Sequence, residues 1–374
     1  MFLALREMRR AKGRFTMLVV ALALLFFLIL IQRALQDGLI TAFVGGIRNQ
    51  SAPVLVFSVD AQRTLQGSVI APPLEQAIRA TDGVGAAARL SQGTFTVHVG
   101  DDVAADAAIV GTDDPTLGHP DELSAGRRPE APGEAIGSDG DFSVGDVVTV
   151  SAADEQAEPV TLTVVGLARD VQISVTPTLF TDLATYEAAV RSVNPQATTV
   201  LPSAIAVRPV DGLSPDDLAA RINAASTEAD ALTREQAAEK APGVSDVRQS
   251  FAVIFLLYGL VVPLVTGLFF LIITLQKSRA LVLLRAIGAQ TGVLVRALLA
   301  QVLLVSVLGL LLGVALYAPV SQLRVGSLAL RFDVAAVVTW SVLLLALAVV
   351  SALVSLRKVL AIDPIDATVG PGVR

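Results

Sequence analysis

Four stretches of this sequence carry no charged side chain: Phe15 to Gln32 (18 residues), Gln249 to Gln276 (28), Ala297 to Leu323 (27) and Val334 to Leu356 (23). An α-helix rises about 1.5 Å per residue, so roughly 20 residues cross a hydrocarbon layer about 30 Å thick. Peptide groups cannot be left unsatisfied in lipid, and a helix satisfies them within itself. The sequence therefore predicts four transmembrane helices, at 15–35, 251–276, 297–323 and 334–356. Pro263 falls inside the second, where a membrane helix tolerates or kinks at proline. Buried helices of a soluble core are the competing reading, but such helices rarely run this long without a charge. The overall content, 53% hydrophobic and 17% charged, fits the membrane reading, since soluble domains average about 45–50% and about 25%.

Charge distribution orients these spans. Residues 1–14 hold Arg6, Arg9, Arg10, Lys12 and Arg14 against Glu7 alone. The segment 277–296 holds Lys277, Arg279, Arg285 and Arg296 with no acid. The positive-inside rule places both in the cytoplasm, and the tail 357–374 with them. One crossing then puts residues 36–250 on the far side, and 324–333 form a short outer loop. Leu35 to Ser250 carries 13 basic and 30 acidic residues, a net of −17, while the rest of the chain is +11; the overall −6 conceals this asymmetry. A basic start and apolar core also describe a signal peptide. Here, however, the apolar stretch of 17 residues exceeds the usual length of about 7–15, and Gln32 to Asp37 offers no small-x-small cleavage site, so an uncleaved anchor is expected.

Residues 36–250 have soluble composition and should fold as an α+β domain. Val54 to Val59, Thr94 to Val99 and Ala204 to Arg208 read as strands, and Pro72 to Thr81 as a helix. Ser214-Pro-Asp-Asp217 is a helix start, with a capping hydroxyl, proline at the first helical position and acids in the first turn. Residues of about 50–110 and 196–232 are expected to form one subdomain, with 111–195 as a β-rich insertion. Gln36 to Asn49 and Thr233 to Ser250 are helix-compatible and adjoin spans, suggesting stalks, although Pro242-Gly243 interrupts the second.

Much chemistry is excluded. There is no cysteine, hence no disulfide, thiolate metal site or cysteine nucleophile. No Gly-x-x-x-x-Gly-Lys-Ser/Thr occurs, so any ATP chemistry must come from a partner, and no Gly-x-Ser-x-Gly elbow supports a hydrolase. His98 and His119 are the only histidines and lack metal spacing; both are expected at the surface or on a strand. The acids Asp101, Asp102, Asp113, Asp114, Asp121 and Glu122 lack calcium-loop spacing and read as a solvated surface. An acidic chain is also a poor nucleic-acid binder. The charge-free spans lack the ionisable relay groups of ion-coupled transporters. Two features remain. Gly309 and Gly313, with Ser306 one turn earlier, leave one face of the third span bare for close helix packing, within the subunit or between subunits. The segment Lys277 to Arg296 mixes cations with Leu281, Leu283, Leu284 and Ile287, a basic amphipathic helix suited to the membrane surface or a partner, which Gly288 can end.

Gln276-Lys-Ser-Arg-Ala-Leu-Val-Leu-Leu-Arg-Ala-Ile-Gly-Ala289 resembles the cytoplasmic signature of FtsX/MacB-like ABC transporter permeases. Leu3 to Arg10 resembles the amphipathic helix that precedes the first span in this family, which implies such a helix over 1–14, and the ending Arg357 to Ala367 and the phrases Pro132 to Gly137, Val144 to Val150 and Thr163 to Gly166 are similar to the same family. So is the order of one span, a large domain and three spans. The resemblance implies a type VII permease with a MacB-like periplasmic core domain, in a bacterial inner membrane with both termini cytoplasmic. It implies a dimer of permeases with two copies of a separate ABC ATP-binding subunit, which would bind ATP and Mg; the permease itself would be non-catalytic and bind no cofactor. Further expected partners are membrane lipids and an extracytoplasmic lipoprotein, adaptor or hydrolase. The coupling residues would be Lys277, Arg279, Leu284, Arg285, Ala286, Ile287 and Gly288. Gln276, Ser278 and Ala280 stand where family members commonly carry acids. Export or extraction of a substrate is the expected task, with FtsX-type regulation of a cell-wall hydrolase as the alternative and a receptor without an ATPase as a third.

Overall fold

A computed structural model describes residues 12–100, 104–152, 159–276, 291–325 and 328–360. In chain order the elements are helix α1 (Lys12–Arg48), strand β1 (Val54–Ser58), α2 (Pro72–Arg79), β2 (Val84–Val99), β3 (Ala105–Thr112), β4 (Ala125–Gly126), β5 (Glu134–Ser138), β6 (Val147–Val150), β7 (Val160–Ala168) and β8 (Thr178–Asp182). There follow α3 (Leu183–Val193), β9 (Ala204–Pro209), α4 (Pro215–Ala225), β10 (Ala229–Thr233), α5 (Arg234–Glu239), α6 (Val244–Gln276), α7 (Thr291–Val320), the short pair β11 (Arg324–Val325) and β12 (Leu328–Ala329), and α8 (Val334–Leu360). The chain divides into two compact units, one of residues 1–36, 249–325 and 329–374, the other of 37–248 and 326–328.

In the first unit, α1, α6, α7 and α8 each contain a stretch long and apolar enough to span a membrane. Phe15, Leu18, Leu22, Phe26 and Ile29 recur at three- and four-residue spacing, the period that places them on one face of α1. That face is buried against Val262 of α6, Val302 and Val305 of α7 and Leu344 of α8. Leu256, Leu260, Leu264 and Leu268 line an exposed face of α6, as expected where lipid rather than water is the surrounding solvent. Pro263 is accommodated inside α6, and its carbonyl accepts a hydrogen bond from Ser351 Oγ at 2.5 Å.

The second unit is an α+β domain of ten strands. β10, β1, β9 and the first half of β2 pair antiparallel, and α2 and α4 cover them through Leu74, Ile78, Leu218 and Ile222, which pack on Val54, Val56, Ile205 and Val207. The second half of β2 enters a different structure. It pairs with β3, β3 with β8, β8 with β5, β5 with β7, β7 with β6, and β6 returns to β2. The ring of six strands is a small closed barrel. Its filling follows the two-residue period of strands: Phe95 and Val97, Ala107 and Ile109, Val148 and Val150, Leu162 and Val164 all enter one core with Tyr186 of α3. The barrel takes β2 and most of β3 from before the segment 111–195, so that β-rich stretch does not close by itself. Ser214 caps α4 by accepting from Asp217 N at 3.1 Å. The C-terminal turns of α1 (Ile40, Val44, Ile47) and the start of α6 (Val244, Val247) pack into this unit's own core, and the positive φ of Gly243 (83°) separates α5 from α6.

Candidate functional site

The expected coupling residues Lys277, Arg279, Leu284, Arg285, Ala286, Ile287 and Gly288 lie outside the described residues. Ser306, Gly309 and Gly313 lie on α7, and Ser306 is fully buried. A Cβ on Gly309 would meet Leu22 Cβ at 2.9 Å, and one on Gly313 would meet Ala23 O at 2.8 Å and Phe26 Cβ at 2.9 Å. These glycines therefore let α7 approach α1 of the same chain almost backbone to backbone, the use to which small residues are put in lipid, where no hydrophobic force drives helices together.

A second close approach lies in the α+β unit. The loop between β7 and β8 is hydrogen-bonded along the C-terminal end of α1: Gly46 N donates to Gln172 O at 2.9 Å, Ser174 N to Phe43 O at 2.9 Å, Val175 N to Ala42 O at 2.8 Å, and Asn49 Nδ2 to Asp170 O at 2.6 Å. A Cβ at Gly45 would fall 2.2 Å from Asp170 O. The loop achieves this fit with Asp170, Ser174 and Val175 at φ of 58°, 53° and 64°. For a β-branched residue such as Val175 this is strained backbone, held only because its surroundings over-determine it. The helix that continues from the first span is thus gripped by a loop of the barrel.

A cavity of about 500 Å³ opens on the α+β unit beside the start of α3. The turn after β3 contributes Asp113 and His119, the loop before β5 contributes Glu130, and the start of α3 contributes Asp182 and Glu187. Pro115, Pro129, Pro132 and Leu183 form its apolar wall. Asp182 is the cap of α3 and accepts from Thr185 N at 2.9 Å and Thr185 Oγ1 at 2.6 Å. Asp113 accepts from Arg89 N at 2.7 Å and lies 3.8 Å from Arg79 Nη2, while Glu187 is paired with Arg191 at 2.6 Å. His119 is 2% exposed, so its expected surface position is corrected: backbone bonds from Ser51 to His119 and from Asp121 to Asn49 draw its loop inward. Its Nε2 lies 3.2 Å from Thr181 O, and because a carbonyl can only accept, Nε2 carries the proton. Burial lowers the His119 pKa, outweighing the bond to Thr181 that favours protonation, so the ring is neutral and Nδ1 is an acceptor without a partner. His98 is half-buried on β2. Asp113 and Glu130 sit in Pro- and Asp-rich turns that the sequence shows, but 70 residues separate Thr112 from Asp182, and only the parallel pairing of β3 with β8 joins them. Among the described residues no group of three His, Asp or Glu side chains is placed to hold a metal ion.

No family model matches the chain. Over 110 residues it is 30% identical to HrtB of Staphylococcus haemolyticus (strain JCSC1435), a candidate hemin transport system permease protein; the match covers 29% of this chain and 31% of that relative, so the chain spans under a third of its length in alignment. Among solved structures, the periplasmic region of MacB from Actinobacillus actinomycetemcomitans matches at 12% identity and a TM-score of 0.34, covering 50% of this chain and 92% of that one. The extracellular domain of the ABC-type transporter YknZ from Gram-positive bacteria matches at 12% and 0.31, covering 48% and 98%. A membrane protein with four spanning-length helices and an α+β domain inserted after the first is what the chain is, and in sequence it resembles FtsX/MacB-like permeases.

Proposed function

We propose that the chain is the membrane subunit of an ATP-driven transporter of the MacB/FtsX-like kind, working with a separate ATP-binding subunit. The observation that carries this reading is the arrangement of one span, a large α+β unit and three spans, to which the 30% match to a permease adds weight. Two permease copies would bind two ATPase copies through the basic segment 277–296. ATP and Mg would be held by the ATPase, and this chain would do no bond chemistry. Closure of the ATPase would displace the coupling segment, and the α1 outer turns gripped by the β7–β8 loop would pass motion to the barrel. Charge-free spans suit a machine that moves its outer domain and conducts nothing through the bilayer. Export or extraction of a substrate from the outer side is the task this favours.

The test is to co-purify the chain from a bacterial membrane and assay ATP hydrolysis by what accompanies it. Replacing Arg285 and Ile287 by Asp should abolish assembly or lower turnover at least about tenfold, a loss of about 1.4 kcal/mol of coupling or more. Unchanged assembly and turnover would reject the assignment. The same absence of ionisable groups in the spans also suits mechanical regulation of an extracellular hydrolase; removing residues 50–245 and measuring cell-wall cleavage beside export of candidate compounds separates the two readings.

A further inference from the structure

The backbone ladder of α6 is disturbed at three carbonyls close together. Pro263 has no N–H, so the carbonyl of Gly259, four residues back, lacks its helical donor, and the proline ring presses on that same carbonyl. Gly259 is exposed, and no neighbouring side chain or helix lies within 4 Å of where its Cβ would sit, so nothing stiffens the turn before the proline. Beside it, the buried Thr266 Oγ1 donates back to Val262 O at 2.7 Å, a bond of the kind that bends helices. The third carbonyl, that of Pro263, accepts from Ser351 Oγ of α8 at 2.5 Å. Pro263 lies well inside the 33 residues of α6, whereas Pro319 stands next to the end of α7, where a helix loses little by breaking. Helix α8 runs along this break like a splint. Before it, the rings of Trp340 and Phe255 are 4.8 Å apart, and at it Ser351 holds the Pro263 carbonyl. Beyond it, Leu264, Leu268 and Ile272 are exposed, so that face of α6 can swing without displacing protein.

We propose that α6 is hinged between Gly259 and Pro263, and that Ser351 of α8 is the releasable fastening that holds the C-terminal half of α6 in one of two positions. A single hydroxyl-to-carbonyl bond contributes little enough net stability to be broken and remade. Gln276 at the end of α6 runs directly into the basic segment 277–296, so a bend at the hinge displaces the start of that segment. The hinge is a property of the helices themselves and is independent of whether an ATPase works with the chain.

Spin-label distance measurements on the full chain in lipid nanodiscs test this, because a chain without cysteine carries labels only where they are introduced. Met17→Cys with Ile272→Cys reports the half beyond the hinge, and Leu24→Cys with Leu256→Cys the half before it; all four positions are exposed. Ile272 lies about 14 Å along the axis from Pro263, so a change of about 25° in the bend, on the scale of proline kinks, moves it by about 6 Å. The first pair should show a main distance and a second one several ångströms away, and the control pair a single distance. Pro263→Ala, which restores the donor to Gly259 O, should remove the second distance. Ser351→Ala should shift the populations toward it several-fold, the scale of one hydrogen bond, and Ser351→Thr, which keeps the hydroxyl, should match wild type. Thermal unfolding shows that each variant is folded. A single distance for the first pair in both wild type and Ser351→Ala, a distribution unchanged by Pro263→Ala or by Ser351→Ala, or a control pair that divides in the same way would overturn the proposal.

Discussion

At the scale of single residues, steric room decides what each glycine is for. Gly313 on α7 faces Ala23 O at 2.8 Å from where a Cβ would sit, whereas Gly259 on α6 has nothing within 4 Å. Gly313→Ala should therefore force α7 away from α1 and destabilise the protein by about 1–3 kcal/mol, the usual penalty for overpacking. Gly259→Ala should be neutral or stabilising by up to about 1 kcal/mol, because it only removes backbone freedom. Unfolding curves of the two variants in detergent give the comparison, and equal effects would mean that the α1–α7 contact does not depend on that glycine. Charge is equally local. Glu134 at the start of β5 is held down to about 2, chiefly by Arg127, whose Nη1 donates to Oε2 at 2.7 Å, and by the N–H of Glu130. A folded value below the ordinary one means that the contribution to stability is complete above pH 4.5 and fades as pH falls toward 2. Glu134→Gln should lower the unfolding midpoint near neutral pH, with the gap from wild type closing through that acid window. Glu75 is also lowered: burial alone would raise it, but Arg89 and Arg79, at 2.8 and 2.9 Å, reverse the sign.

At the scale of elements, the exposed edge of β10 shows how a strand is kept from pairing with another chain. Asn223 of α4 donates from Nδ2 to Ala231 O at 2.9 Å and accepts from Ala231 N at 2.7 Å, occupying both ladder groups of that residue. Asn223→Ala should cost about 1 kcal/mol and free an edge that templates strand addition; sedimentation at rising concentration should reveal association absent from the wild type, and a strictly unassociated variant would assign the edge's protection elsewhere. Elements fixed by their own residues were the legible ones. The spans follow from missing charges, and α4 from Ser214-Pro-Asp-Asp217, because neither depends on distant partners. The barrel was not legible, since its closure rests on β6 returning to β2, a pairing of Val97 with Val150 that no local pattern announces. The same holds for the grip of the β7–β8 loop on α1 and for the burial of His119. Each is made by contacts between residues far apart in sequence, so the cavity, assembled from three such segments, was invisible to motif reading. The Gly309/Gly313 face could be read from the sequence, but its partner could not: the pattern alone left a second copy as an alternative to α1.

At the scale of the whole molecule, the sequence makes its own test of topology unusually clean. A chain without cysteine gives no background to a thiol label, so a single introduced cysteine reports its own side of the membrane. The charge asymmetry, −17 between Leu35 and Ser250 against +11 elsewhere, predicts the α+β unit on the far side of the bilayer, because basic segments are retained on the cytoplasmic side. Glu130→Cys lies in an exposed loop before β5, where a maleimide that cannot cross the membrane reaches it in intact cells stripped of any outer barrier. Arg285→Cys, in the basic segment between the second and third spans, should label only after the membrane is opened. The reverse pattern would place the acidic unit in the cytoplasm and remove the basis for a role on substrates outside. Labelling of both in intact cells would contradict an odd number of crossings between them, and with it the assignment of α6 as a span, which its run of 28 uncharged residues otherwise makes hard to escape.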